Sequence, residues 1–160
     1  MVTVSELKHI KIFSEFADEE LADLADITEK MAYNNQEIIY RRGDEARYLF
    51  VIASGAVSLR LLGPGDRAGV AFEERRRGEM FGVAIFMEPR QYTLTALCLE
   101  DTEVLAIDGG DLNELCGKRP EIGYKLLKKV AQIYLDRYKH AKIELYRIFN
   151  SPHIITPNPS

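Results

Sequence analysis

The stretch EIIYRRGDEARYLFVIASGAV, residues 37–57, carries the reading of the fold. Ile38 to Tyr40 is rich in β-formers, and Arg42-Gly43-Asp44 follows as a turn. Residues 48–53 form a dense apolar run, and Ser54-Gly55 turns again. Val57, Leu59 and Leu61 then alternate with Ser58 and Arg60, the period of a half-buried strand. Beyond them Gly63-Pro64-Gly65-Asp66 reads as a loop, and residues 69–72 as a further strand ended by the charged loop EERRR. QYTLTALC and TEVLAI add two strands separated by Glu100-Asp101. Seven or eight short strands at intervals of about ten residues predict a sandwich, a jelly roll or a small barrel.

Helices flank this β region. Before about Met31 the period is helical. Asp18 is placed to cap a helix, with Glu19 and Glu20 in its first turn and Leu21, Leu24, Ala25 and Thr28 along one stripe. Leu7, Ile10 and Phe13 of LKHIKIF predict a short helix packed on the same surface. After the strands, Asp111 and Glu114 make a box-like cap for a short helix, DLNELC, that Gly117 ends. Pro120 suits the first turn of another helix, and nothing but Gly123 interrupts the chain to Phe149. That helix would be on the order of 45 Å long. The tail NSPHIITPNPS has three prolines and no periodicity, and is expected to be flexible. The expected division is therefore 1–117, a β-roll with N-terminal helices; 118–149, a long C-terminal helix; and 150–160, a tail.

Composition limits the function classes. The chain has 160 residues, 46% hydrophobic and 29% charged, with a net charge of −4, as in an ordinary soluble domain. No apolar run approaches the roughly 20 residues of a bilayer span. MVTVSELKHI lacks the pattern of a secretory signal. Cys98 and Cys116 are too few and too far apart for a disulfide scaffold, so a cytoplasmic protein is expected. Residues 118–149 hold nine Lys/Arg and three Asp/Glu, a surplus of six positive charges that leaves ten negative on the rest. Such a segment is either a solvated helix face or a surface for an acidic partner.

The long helix also carries a seam. Tyr124, Leu127, Ala131, Tyr134, Tyr138, Ala141, Leu145 and Ile148 follow one another at alternating steps of three and four. This 3.5-residue repeat is the pattern of two helices packed along their length, and it predicts a homodimer. The alternative is one wide apolar face lying on the chain's own domain. Ala at two seam positions and Tyr at three make the seam soft.

The order of elements, together with LKHIKIFSEFADEELADLA, EIIYRRGDEARYLFVIASGAV and EDTEVLAID, resembles the cyclic-nucleotide-binding domains of the catabolite-activator and kinase-regulatory-subunit superfamily. The resemblance covers about residues 7–149. It implies a mainly β fold with flanking helices: an eight-stranded antiparallel, jelly-roll-like β-roll, N-terminal helices, a short helix and a long C-terminal helix. It also implies a ligand site between two strands, usually Phe-Gly-Glu, a short helix, a spacer, then Arg and two small residues. There backbone N–H groups and the arginine hold the cyclic phosphate, and the glutamate accepts the ribose 2′-hydroxyl.

Within GEMFGVAIFMEPRQYTLTA, Phe81 and Gly82 match that pattern, and residues 84–87 offer the short helix. Val83 stands in the glutamate's place, Arg90 arrives about two residues early, and Gln91 and Tyr92 replace the small residues. The candidate ligand residues are thus Phe81, Gly82, Val83, Ala84, Arg90, Gln91 and Tyr92. Cyclic AMP and cyclic GMP are the implied ligands. Val83 removes a hydrogen bond of about 1.5–3 kcal/mol, and Tyr92, if turned inward, takes the space of the sugar and phosphate. Three readings stand: the usual nucleotide, a different small anion, or a ligand-free dimeric interaction protein that works through a protein partner.

The superfamily's transcription factors carry a helix-turn-helix after the long helix. Only eleven residues follow Phe149 here, so direct sequence-specific DNA binding is not expected. His9, His140 and His153 do not cluster with carboxylates, and no metal-binding or nucleophilic set can be placed, so a non-enzymatic protein is expected.

Overall fold

The computed structural model describes residues 1–65 and 69–150. Asp66 of the expected loop, and the tail from residue 151, lie outside the described residues. The chain forms two compact units, Met1–Gly123 and the segment that starts at Tyr124.

The first unit begins with α1 (Val4–Lys8), a 3-10 turn (Lys11–Phe13) and α2 (Asp18–Asp26). Thr3 caps α1 in a full capping box with Glu6. Asp18 does not cap α2 as expected. Ala17 holds the cap position, and the Glu20 carboxylate accepts from its N–H at 2.8 Å. Leu21, Leu24 and Ala25 are buried as the helical stripe requires. Thr28 does not continue that stripe but opens the first strand, with its hydroxyl donating back to Leu24 O.

Eight antiparallel strands follow: β1 (Thr28–Tyr33), β2 (Ile38–Tyr40), β3 (Tyr48–Ser54), β4 (Ala56–Leu61), β5 (Val70–Arg76), β6 (Met80–Phe81), β7 (Thr95–Cys98) and β8 (Thr102–Asp108). They form two four-stranded sheets, ordered β1-β8-β3-β6 and β2-β7-β4-β5. The expected mainly β fold with flanking helices is what the chain adopts. Gly55 turns between β3 and β4 at φ 95°, and a Cβ there would lie 2.5 Å from the Thr102 hydroxyl.

Two strand boundaries differ from expectation. The charged run EERRR is not a loop up to Arg76: residues 73–76 belong to β5, paired with β4 from Ala56↔Arg76 to Leu61↔Val70, and only Arg77 lies in the turn. Arg75 is only 2% exposed; it donates to Met80 O and pairs with Glu73 at 2.7 Å. QYTLTALC is strand only from Thr95, while Gln91 makes an isolated bridge to Glu45.

The pleat sorts the first sheet into two faces. Phe50 lies opposite Ala106 and Phe81, and these residues face the interior of the roll. Val51 and Leu49 lie opposite Leu105 and Ile107 and face the other way. Both sets are buried, so this sheet is covered on both faces.

α3 (Gly109–Lys118) is capped by Asp108, not Asp111: the Asp108 carboxylate accepts from the N–H groups of Gly110 and Asp111 at 2.8 and 3.1 Å. Gly117 does not end it, since the helix runs to Lys118. α4 (Pro120–Phe149) is 30 residues long, in line with the unbroken pattern of the sequence. From Tyr124 onward it stands as the second unit.

Candidate functional site

The segment between β6 and β7 starts with a backbone that glycine alone takes without strain. Gly82 has φ 78°, and a Cβ there would sit 3.0 Å from Tyr48 O and 3.4 Å from the Tyr92 ring. The helix that follows is a single 3-10 turn, Val83–Phe86, one residue earlier than residues 84–87. Ala84 and Ile85 point inward and are buried, and Val83 is half-buried. Ile85 packs on the start of α3 so closely that a Cβ on Gly109 would meet it at 3.0 Å.

The chain then returns along the 43–46 loop. Ala46 N–H donates to Arg90 O at 2.9 Å, Tyr92 N–H to Asp44 O at 3.0 Å, and Gly43 N–H to Tyr92 O at 2.8 Å. This ladder fixes which side chains of residues 90–92 turn inward. Arg90 is half-exposed and does not lie among the interior side chains. Its guanidinium is 4.0 Å from the Glu88 carboxylate, and the Asn113 side-chain amide on α3 lies beside both its terminal nitrogens, where it accepts from them once the amide is turned to present its oxygen. Gln91 is exposed.

Tyr92 turns inward and is 5% exposed. Its ring stacks on Tyr40 with centroids 3.6 Å apart and planes 13° from parallel. Tyr40 in turn neighbours Phe50 and Phe81, and those two rings stack at 5.0 Å. The hydroxyl is fully engaged: it donates to Tyr48 O at 2.8 Å and accepts from Tyr48 N–H at 3.0 Å. Burial pushes the phenol up to about 12, against the smaller opposing effect of its backbone hydrogen bonds. The interior beside Gly82 is thus an aromatic stack built from three strands and one loop of the same chain.

The structure therefore gathers Phe81, Gly82, Ala84 and Tyr92 at one place and leaves Arg90 and Gln91 at its rim. Tyr40, Phe50 and Asn113 belong to the same place and were not singled out in the sequence. Tyr40 and Phe50 are strand residues whose inward direction follows from the pleat, but nothing local indicates their partner. Among the described residues no group of three or more His, Cys, Asp or Glu is placed to hold a metal ion, and no helix is long and apolar enough to cross a membrane.

This architecture is a β-roll with a cassette-like turn between its sixth and seventh strands. Residues 30–119 match the family model described as the cyclic nucleotide-binding domain. The chain belongs to that family. It is 26% identical over 144 residues to a cyclic AMP receptor protein of Thermus thermophilus, covering 87% of this chain and 62% of that one. It is 26% identical over 129 residues to a protein of Rhodopseudomonas palustris that bears a potassium-channel name, covering 79% of this chain and 30% of that one. The chain thus spans less than two thirds of the length of these relatives. A solved structure from Geobacter metallireducens, named for cyclic-nucleotide binding, superposes with a TM-score of 0.76 at 25% identity, over 86% of this chain and 99% of that one.

Proposed function

We propose that this chain is a non-enzymatic regulatory module of the cyclic nucleotide-binding family whose roll interior is occupied by its own Tyr92. In this reading the module does not hold cyclic AMP or cyclic GMP in the family's usual manner. It acts instead as a homodimer through the exposed seam of its long helix, and passes its output to a protein partner. The observation that carries this reading is the placement of Tyr92. Its ring lies against Gly82, where the cyclic phosphate would approach the backbone, and both hydrogen-bonding capacities of its hydroxyl are already used.

Two further features support the same reading. Val83 offers no acceptor for a sugar hydroxyl. Arg90 is directed to Glu88 and Asn113 at the rim. A nucleotide would have to displace a stacked, doubly hydrogen-bonded ring and recover the arginine before gaining any contact. Titration calorimetry with cyclic AMP and cyclic GMP tests this. The expected result is no saturable heat up to millimolar nucleotide. Submillimolar binding that disappears on Arg90→Ala would overturn the reading in favour of an altered but working sensor site.

A further inference from the structure

A second concave site lies on the other face of the β1-β8-β3-β6 sheet. It is a cleft of about 560 Å3 between that sheet and the segment that joins α1 to the 3-10 turn. Lys30 pairs in register with Leu105, and Ala32 with Glu103, which puts all four on the face turned away from Phe50 and the Tyr92 stack. Met31, Ile52 and Val104, which alternate with them, also reach the cleft, but none of the cassette residues 81–92 nor Tyr40 or Phe50 lines it. Its size is that of a small-molecule pocket.

The chemistry of its lining is uneven. Ile10, Ala32, Ala53 and Leu105 form an apolar wall. Two of the charged groups there cancel: Glu6 pairs with Lys30 and accepts from both the N–H and the hydroxyl of Thr3. Lys11 and Arg77 differ from Lys30. Both are exposed, and neither side chain has an ion-pair or hydrogen-bond partner among the described residues. Glu103 is the one further carboxylate at the cleft. Two unpaired cations against one carboxylate leave a single positive charge beside an apolar wall. That balance accepts one negative charge and disfavours a second.

We propose that this cleft binds a small amphipathic organic acid: a monocarboxylate with an apolar body. Lys11 and Arg77 hold the carboxylate, and Ile10, Ala53 and Leu105 cover the body. Glu103 sets the preference for a monoanion over a phosphate dianion. His9 completes the rim. Its Nδ1 lies 2.6 Å from Ser5 O, so Nδ1–H donates there and Nε2 stays available to the ligand. The proposal does not depend on how Tyr92 fills the roll.

The test is an amide-resonance titration of the whole 15N-labelled chain with octanoate, against octanol, acetate and octyl phosphate. Octanoate is expected to give saturable submillimolar shifts at Ile10, Ala32, Ala53 and Gly78. Octanol and acetate are expected to be at least about tenfold weaker, because each lacks one half of the recognition. Lys11→Glu combined with Arg77→Glu should weaken octanoate at least about tenfold while the rest of the spectrum is unchanged. Ala53→Leu, which fills the cleft, should abolish it. The site assignment fails if shifts are absent, if they map to the long helix, or if the charge-reversed variant binds as well as the parent. Tighter binding of octyl phosphate than octanoate would overturn the monocarboxylate assignment.

Discussion

At the scale of single residues, Tyr92 does most to set this chain apart from the pattern of its family. Its hydroxyl joins the cassette to β3 through both the N–H and the carbonyl of Tyr48. Tyr92→Phe keeps the ring and the stack on Tyr40 but leaves two backbone groups without their partner. It should cost about 1–3 kcal/mol, read from urea unfolding curves. An unchanged midpoint would mean that water replaces the hydroxyl freely. The phenol also gives a pH signature. Its folded value of about 12 lies above the ordinary value of 10. The neutral form is the one the fold favours, so the stabilisation is complete below pH 10 and is lost as pH rises through 12. Stability of the parent should therefore fall more steeply than that of Tyr92→Phe between pH 10 and 12. In the sequence Tyr92 stood out because it replaced a small residue. Its partners did not, because Tyr40 and Tyr48 are far away along the chain and reach it only after the strands pair.

At the scale of elements, what could be read from the sequence was local. The apolar runs and glycine turns of residues 37–57 appear as β2, β3 and β4 at nearly the expected bounds. The unbroken pattern after Pro120 appears as α4. What could not be read was where long-range contact overrode composition. EERRR has the charge of a loop, yet its first four residues are strand because β4 supplies their hydrogen bonds and because Arg75 finds Glu73 and Met80 O inside the fold. Arg75→Ala should therefore behave as a core substitution and cost about 3 kcal/mol in an unfolding titration; a loop-like loss near zero would refute that role. Helix starts were misread for the same reason. Asp108 and Asp111 are both good caps, and the end of β8 decides between them. At the other end of the unit, Glu6 ties α1 to β1 through Lys30. The Lys30 side chain and the Thr3 N–H hold its carboxyl down at about 2. A lowered value stabilises the fold above the ordinary carboxylate range, and this is lost as pH falls from about 4.5 through 2. The pair is about half-exposed, so salt should screen it. The parent should lose stability across that window at low salt more steeply than Glu6→Gln, and the two should converge at high salt.

At the scale of the whole molecule, the question is what covers the long helix. All eight seam positions, from Tyr124 to Ile148, are exposed in the single chain, and so are Leu135, Tyr146 and Phe149. A contiguous row of tyrosine, leucine and isoleucine along a helix of 30 residues is more apolar surface than an isolated chain keeps in water without a use for it. The 3.5-residue spacing is the reason we propose a second copy of the chain as that use. Steps of three and four keep the row on one side of a helix that winds around a second copy, whereas a surface meant for a flat partner needs no such regularity. In the proposed dimer, Ala131 and Ala141 would let the backbones approach, and Tyr134 and Tyr138 would fill the space on either side. Tyr134 lies at the middle of the row. Placing a carboxylate there puts two like charges face to face across the symmetry axis and takes a charge out of water, while a single exposed helix loses nothing. Tyr134→Glu should therefore give a single-chain mass by light scattering at concentrations where the parent is a dimer, with unchanged helix content by circular dichroism. Gln132→Glu, which adds the same charge off the row, should leave the dimer intact. If both variants behave like the parent, the row is not the interface, and the proposed homodimer through this helix is wrong.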